Sequence, residues 1–171
     1  MKKLSILVLS ILFTSVMFAQ KYAYVDTEYI MNNIPSYESA KAQLDELSKN
    51  WKDEIDQKKT AIDKLYNDYQ TERVLLTEEL RKKREDEIIQ KEKEMRELQQ
   101  KYFGPEGMLF KKREDLIKPI QDDIYNAIKD IAVDGSYSVI FDTANSLNMI
   151  YTDPRYDKSD DVLKKMGYKV N

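Results

Sequence analysis

From Ser36 to Phe103 the chain carries no glycine and no proline, although Pro35 stands just before this stretch and Gly104-Pro105 directly after it. Lys, Glu, Asp, Gln, Leu and Ala dominate it, and such residues lose little rotamer freedom in a helix. An ordinary globular helix runs about 10–14 residues. An unbroken run this much longer predicts a coiled coil or a projecting helical arm. The rest of the fold has to be arranged around that arm.

The apolar positions say how the arm is built. Tyr37, Ala40, Leu44, Leu47 and Trp51 step by three and four, a heptad seam. Ile55, Ile62, Leu65 and Tyr69 continue it, but Trp51 to Ile55 is a second step of four in a row, which straightens or reverses a supercoil. Asp56, Lys58, Lys59 and Asp63 sit among these positions. The seam is therefore narrow and suits a two-helix hairpin better than a buried bundle. Val74-Leu75-Leu76 breaks the pattern, and Thr77 can cap a new helix with Glu78 and Glu79 in its first turn. This places the hairpin tip at Val74–Glu79, in preference to one helix running through to Phe103. Ser36 to the tip is then roughly 38 residues, or about 57 Å. Ile88, Met95, Leu98 and Tyr102 give the returning helix a matching thin stripe. Arg81-Lys82-Lys83-Arg84, followed by Glu85-Asp86-Glu87, reads as a solvated face with ion pairs, with a phosphate or headgroup site as the alternative.

Gly104-Pro105-Glu106-Gly107 predicts a turn or sharp kink, a candidate hinge at Gly104, Pro105 and Gly107. Beyond it, Leu109, Leu116, Ile117, Ile120, Ile124, Ile128 and Ile131 form a wider aliphatic stripe, expected to pack on a true core. Pro119 is expected to bend that helix or start its last segment, and Gly135 to close it. Three strands are expected: Tyr22–Asp26, Tyr137–Asp142 and Asn148–Thr152. The last two are read as an antiparallel hairpin turning through Asn145-Ser146. Asp26 or Thr27 caps a short helix, Glu28–Asn33, and Ser36 caps the long one. Ser159 caps a final helix that ends at Gly167, with a brief strand at Tyr168–Val170.

The amino terminus predicts export. Lys2 and Lys3 precede the apolar run Leu4–Phe18, and Ala19-Gln20 is the expected cut, giving a signal peptide over residues 1–19. A transmembrane anchor is disfavoured because the run falls short of the ~20 residues a span needs. No cysteine follows, so lipid attachment there is excluded.

Composition removes whole classes of function. The 171-residue chain has no cysteine and no histidine, hence no disulfide, no thiol chemistry and no imidazole base or ligand. A net charge of −3 argues against a broad nucleic-acid footprint. Asp142 ends a strand in Val139-Ile140-Phe141-Asp142-Thr143, but position 144 is alanine and no glycine-rich phosphate loop follows. No carboxylate loop of the calcium-binding kind is present. No enzyme activity, cofactor or metal is expected. Twelve tyrosines suit surfaces that are partly wet and partly apolar.

The fold class is therefore α+β. Strands from both ends of the chain form a small hub (residues 20–35 and 104–171), with a helical hairpin inserted over residues 36–103. So few strands make a poor core for one chain. Self-association would close their edges, through Tyr22, Tyr24, Val25, Tyr137, Val139, Ile140, Phe141 and Ile150.

In order and spacing the chain resembles the Skp or OmpH-like family of periplasmic chaperones for outer-membrane proteins. The residues that carry this are Tyr22–Asp26, the Gly- and Pro-free hairpin, Leu116-Ile117-Lys118-Pro119-Ile120 leading to Ile124 and Ile128, and Tyr137–Asp142 followed by Ser159-Asp160-Asp161-Val162-Leu163. The resemblance implies a homotrimer with a small β-barrel hub and three arms around a cavity. That cavity would hold unfolded outer-membrane β-barrel proteins without nucleotide. Peripheral contact with membrane or lipopolysaccharide is also implied. Two departures stand out: well-known members are strongly basic where this chain is mildly acidic, and the Gly104–Gly107 break interrupts an arm helix. Tyr66, Tyr69, Val74, Leu75 and Leu76 near the tip are the candidates for client contact, against packing of the seam and turn. The competing reading is an exported coiled-coil spacer of the cell envelope.

Overall fold

The computed structural model describes residues 20–144 and 149–170. The expected leader and the expected turn at Asn145-Ser146 lie outside the described residues. In chain order the elements are β1 (Lys21–Val25), α1 (Thr27–Asn32), α2 (Pro35–Glu72), α3 (Glu78–Phe103), α4 (Met108–Gly135), β2 (Tyr137–Asp142), a 3₁₀ turn (Pro154–Tyr156) and α5 (Ser159–Lys165). They divide into two compact units. One runs from Ile34 to Asp122; the other comprises the residues up to Asn33 and those from Asp123 onward.

In the first unit α2 is 38 residues long and α3 is 26. Ser36 does not cap α2. Ile34 stands at the cap without a side-chain bond, and Pro35 opens the helix. Proline is suited to that position because its φ is already helical and it has no N–H to satisfy. Thr77 does cap α3, its Oγ1 accepting from the Leu80 N–H at 3.4 Å. The arm is thus a hairpin, and α2 packs on α3. Its buried residues are few: Ala40, Leu44, Ile62 and Tyr69 on α2, and Ile88 on α3. The break after Phe103 is real. The Gly104 N–H closes α3 on the Gln100 carbonyl at 2.8 Å, and the Gly107 N–H bonds the Gly104 carbonyl at 2.9 Å. A Cβ at Gly104 would stand 2.4 Å from the Gln100 carbonyl oxygen, so the turn needs glycine there.

The aliphatic stripe of α4 is only partly packed. Ile124 and Ala127 are buried, whereas Leu109, Leu116, Ile117 and Ile120 are half-buried. The expectation that the whole stripe meets a core is corrected: among the described residues, only its second half contributes fully buried side chains, at Ile124 and Ala127. Pro119 lies inside α4 without ending it. Gly135 is the last helical residue, and the left-handed position falls to Ser136, with φ 53°. A Cβ at Gly135 would approach Tyr137 Cε2 to 2.2 Å.

In the second unit β1 and β2 pair in parallel, with Tyr22 opposite Val139, Ala23 opposite Ile140, Tyr24 opposite Phe141 and Val25 opposite Asp142. Parallel strands need a long crossover, and here the intervening helices provide it. The expected antiparallel hairpin is not formed. Asn148 is outside the described residues, and Met149–Thr152 belong to no strand. The later segment that does meet the sheet joins β1, not β2. Successive residues of a strand direct their backbone groups to opposite edges, and the Tyr24 carbonyl accepts from the Lys158 N–H at 2.9 Å, with Tyr24 bridged to Asp157. The segment at Asp157-Lys158 thus takes up β1.

Ser159 was expected to cap α5 but is its first residue; Lys158 stands at the cap with no side-chain bond. The Ser159 hydroxyl is spent elsewhere: it accepts from the Asp26 N–H at 2.9 Å and donates to Asp157 Oδ1 at 2.6 Å. Gly167 does take the left-handed position, φ 86°. The Tyr168 N–H then reaches back to the Leu163 carbonyl at 2.9 Å, a Schellman closure. That bond consumes the donor that the expected strand at Tyr168–Val170 required, and no strand forms there. Asp26 caps α1 by accepting from the Tyr29 N–H at 2.9 Å, and α1 packs on α5.

Candidate functional site

The arm tip is where the structure gathers the candidate client residues. Val74 and Leu75 are 82 % and 85 % exposed. Leu76 turns the other way, onto the cluster of Ile62, Tyr69 and Ile88, which Leu65 and Met95 also join. Tyr69 is buried and donates its hydroxyl to Glu85 across the hairpin. That hydrogen bond, with partial desolvation, holds the Tyr69 phenol above its ordinary ionisation range. Tyr66, one helical turn away, is half exposed. The five candidates therefore divide. Val74, Leu75 and Tyr66 face solvent; Tyr69 and Leu76 belong to the seam.

The basic run beside the tip is partly committed to the hairpin. Arg81 Nε donates to the Arg73 carbonyl at 2.9 Å, satisfying an acceptor just past the end of α2. Arg84 lies 3.7 Å from Glu72 across the hairpin and 3.5 Å from Glu87 along α3. Further along α3, Lys91–Glu94, Arg96–Glu92 and Lys93–Glu97 pair one turn apart. Exposed pairs of this kind contribute little stability each. They leave the arm's flanks well solvated.

At the base of the hairpin lies an arrangement the sequence reading missed. The ring of Trp51 stacks on Tyr102, centroids 4.8 Å apart and planes within 10°. Phe103 meets Trp51 edge-on at 6.3 Å. The Tyr102 hydroxyl donates to Glu54 Oε2 at 2.8 Å, which holds that phenol above its ordinary range. Trp51 and Tyr102 were each assigned to their own helix stripe. Pairing them required the hairpin register, which the tip at residues 73–77 supplies.

In the β unit, Val25 is buried and Tyr24, Tyr137 and Ile140 are half-buried, whereas Tyr22, Val139 and Phe141 remain 41–47 % exposed. Ile150, expected in the strand hub, is fully exposed and outside any strand. An aromatic cleft of about 670 Å³, lined by Tyr22, Tyr24, Tyr137, Phe141 and Tyr156 with Arg155, opens beside the sheet. Asp142 is engaged in the fold: its carboxylate accepts from the Thr27 N–H and hydroxyl at 3.2 and 2.7 Å and from the Ala144 N–H at 3.0 Å. Among the described residues no helix is long and apolar enough to cross a membrane.

The family model described as Outer membrane protein (OmpH-like) matches residues 21–166. The chain belongs to the OmpH-like family. The match spans both units, from β1 to the end of α5. A crystal structure of a candidate outer membrane chaperone (OmpH-like) from Caulobacter crescentus CB15 shares the fold, with a TM-score of 0.67 at 11 % identity, over 85 % of this chain and 82 % of that one. No curated protein matches the sequence. Membership of the OmpH-like family points to a chaperone role, and the fold is shared with that structure.

Proposed function

We propose that this OmpH-like protein is an ATP-independent holding chaperone. It is exported to the periplasm after cleavage at Ala19-Gln20, assembles as a homotrimer through its β unit, and encloses unfolded outer-membrane β-barrel proteins between its arms. The observation that carries this reading is the contrast along the hairpin. Its seam is narrow, its flanks are charged, and its bare tip presents Val74 and Leu75 to solvent. A holding chaperone needs many weak apolar contacts on a soluble frame, and an apolar side chain gains by leaving water wherever it finds a client. The exposed faces of Tyr22, Val139 and Phe141, with the cleft beside them, supply the surface for self-association. The turn at Gly104, Pro105 and Gly107 is the hinge in this reading, and it alters the width of the cavity. No cofactor enters.

The test is sedimentation of the exported protein alone and with an unfolded outer-membrane barrel, followed by light scattering of the client's aggregation. The expected result is a trimer that takes up one client and suppresses scattering. Val74→Ser with Leu75→Ser is the informative tip variant, since Leu76 is part of the packed cluster. If that double variant keeps trimer and suppression intact, the tip is not a client site. A monomer that leaves aggregation untouched would favour the spacer reading.

A further inference from the structure

We propose that Gln20, once exposed as the first residue, closes into a pyrrolidone (pyroglutamate) ring, with the Tyr22 hydroxyl activating its side-chain amide. This rests on the cleavage at Ala19-Gln20 in the proposed function. Gln20 lies immediately before β1, and Tyr22 is two residues on, within it. Only Lys21 separates the two, and their side chains meet. The Tyr22 hydroxyl donates to Gln20 Oε1 at 2.5 Å.

That is the oxygen on which charge develops during cyclisation. The free α-amine attacks Cδ and forms the new C–N bond of a five-membered lactam. Oε1 carries the negative charge of the tetrahedral intermediate, where a positioned O–H donor stabilises it. Collapse breaks the Cδ–Nε2 bond, and the nitrogen leaves as ammonia with the proton released by the amine. No oxidant, reductant or cofactor is needed. Nucleophile and electrophile belong to one residue, so the reaction gains the advantage of an intramolecular step. An ordinary α-amine titrates near 7.7–8.0, so a reactive neutral fraction exists at neutral pH, and the rate rises through that range.

The setting gives the reaction a consequence. Gln20 and Lys21 line the aromatic cleft beside Arg155. Asp153 also lines the cleft and pairs with Arg155 at 2.6 Å; an open terminus would add a positive charge beside Lys21, whereas the lactam is neutral and blocks exopeptidase attack.

The full chain with its leader should be produced in a bacterium with two membranes, recovered from the periplasm, and read by intact mass and N-terminal peptide sequencing. The expected species begins at residue 20, is lighter by one ammonia than the open form, and resists an aminopeptidase until a pyroglutamate-specific peptidase is added. A protein beginning at Gln20 with a free amine overturns the proposal and leaves the cleavage reading standing. A different first residue overturns both, and the mass distinguishes the cases. In a second arm, a specific protease exposes Gln20 in vitro and cyclisation is followed by mass. Tyr22→Phe should slow it by roughly two- to tenfold, the worth of one exposed hydrogen bond. Gln20→Glu, a poor electrophile as a carboxylate, should stay open. An unchanged rate in Tyr22→Phe removes the activating role from Tyr22.

Discussion

Ile88 and Ile89 are neighbours on α3 with opposite surroundings. Ile88 is 8 % exposed in the seam cluster, and Ile89 is 58 % exposed. Ile88→Ala removes three buried carbons, and at ~0.8 kcal/mol for each the transfer loss is about 2.4 kcal/mol. The cavity contribution should be small, because an arm two helices thick can collapse where a globular core cannot. Ile89→Ala should fall within about 0.5 kcal/mol of the parent, as surface changes do. The hairpin has no second core layer, so the loss should appear as local opening of the distal arm. Amide hydrogen exchange followed by mass spectrometry reads this directly. Peptides covering residues 60–95 should exchange about 50-fold faster in Ile88→Ala, by the rule that 1.4 kcal/mol is tenfold. Peptides from the β unit should be unaffected. Equal exchange in the two variants would refute the reasoning, because the seam would then not be what holds the arm together.

Alkaline pH should loosen the arm. Tyr69 and Tyr102 are held above their ordinary phenol range by hydrogen bonds to Glu85 and Glu54. Their contribution is present below the unfolded value of about 10 and is lost as pH rises through the folded one. Circular dichroism should show helix loss above that pH, and Tyr69→Phe with Tyr102→Phe should abolish the step. Tyr102→Ala should shift Trp51 emission to the red, as the stacked ring that shields the indole is lost; an unshifted spectrum would mean the stack does not persist in solution. Ser159→Ala leaves the Asp26 N–H without its acceptor, and thermal unfolding should show a loss of about 1–3 kcal/mol.

The arm was legible because its physics is local. A run free of Gly and Pro, a Thr followed by two acids, and a three-four rhythm of apolar residues are all readable within a few turns. The break at Gly104–Gly107 was legible for the same reason, as backbone punctuation. What failed was non-local. The expected antiparallel hairpin of Tyr137–Asp142 with Asn148–Thr152 is replaced by a parallel pairing with Tyr22–Val25, and the segment that bridges to Tyr24, Asp157-Lys158, carries no strand signal in sequence. Ser159 has the right identity for a cap, yet its hydroxyl bonds to Asp26 and Asp157, a competition invisible without coordinates. The Trp51–Tyr102 stack and the Glu54 bond were missed because each needs the register of the hairpin. The tip positions divided for a geometric reason: Leu76 faces the cluster, and its neighbours Val74 and Leu75 do not.

The two units differ in how far they satisfy themselves, and this bears on function. The hairpin buries a thin seam, but that seam is continuous with its own partner helix, and its charged flanks pair along the helix. The β unit is different. Two parallel strands are a sheet that normally requires both faces covered, yet Tyr22, Val139 and Phe141 stay exposed. In the other unit, the stripe at Leu116, Ile117 and Ile120 is only half-buried. Apolar surface left over at the strands favours association there, whereas the apolar surface at Val74 and Leu75 is too small to hold a permanent partner. An unfolded client offers many such weak sites in succession, and only several arms acting together would hold it. Under the proposed function, multivalency of that kind requires the arms to be joined at one end and free at the other, and the surplus at the strands and the sparse tip would then serve one mechanism.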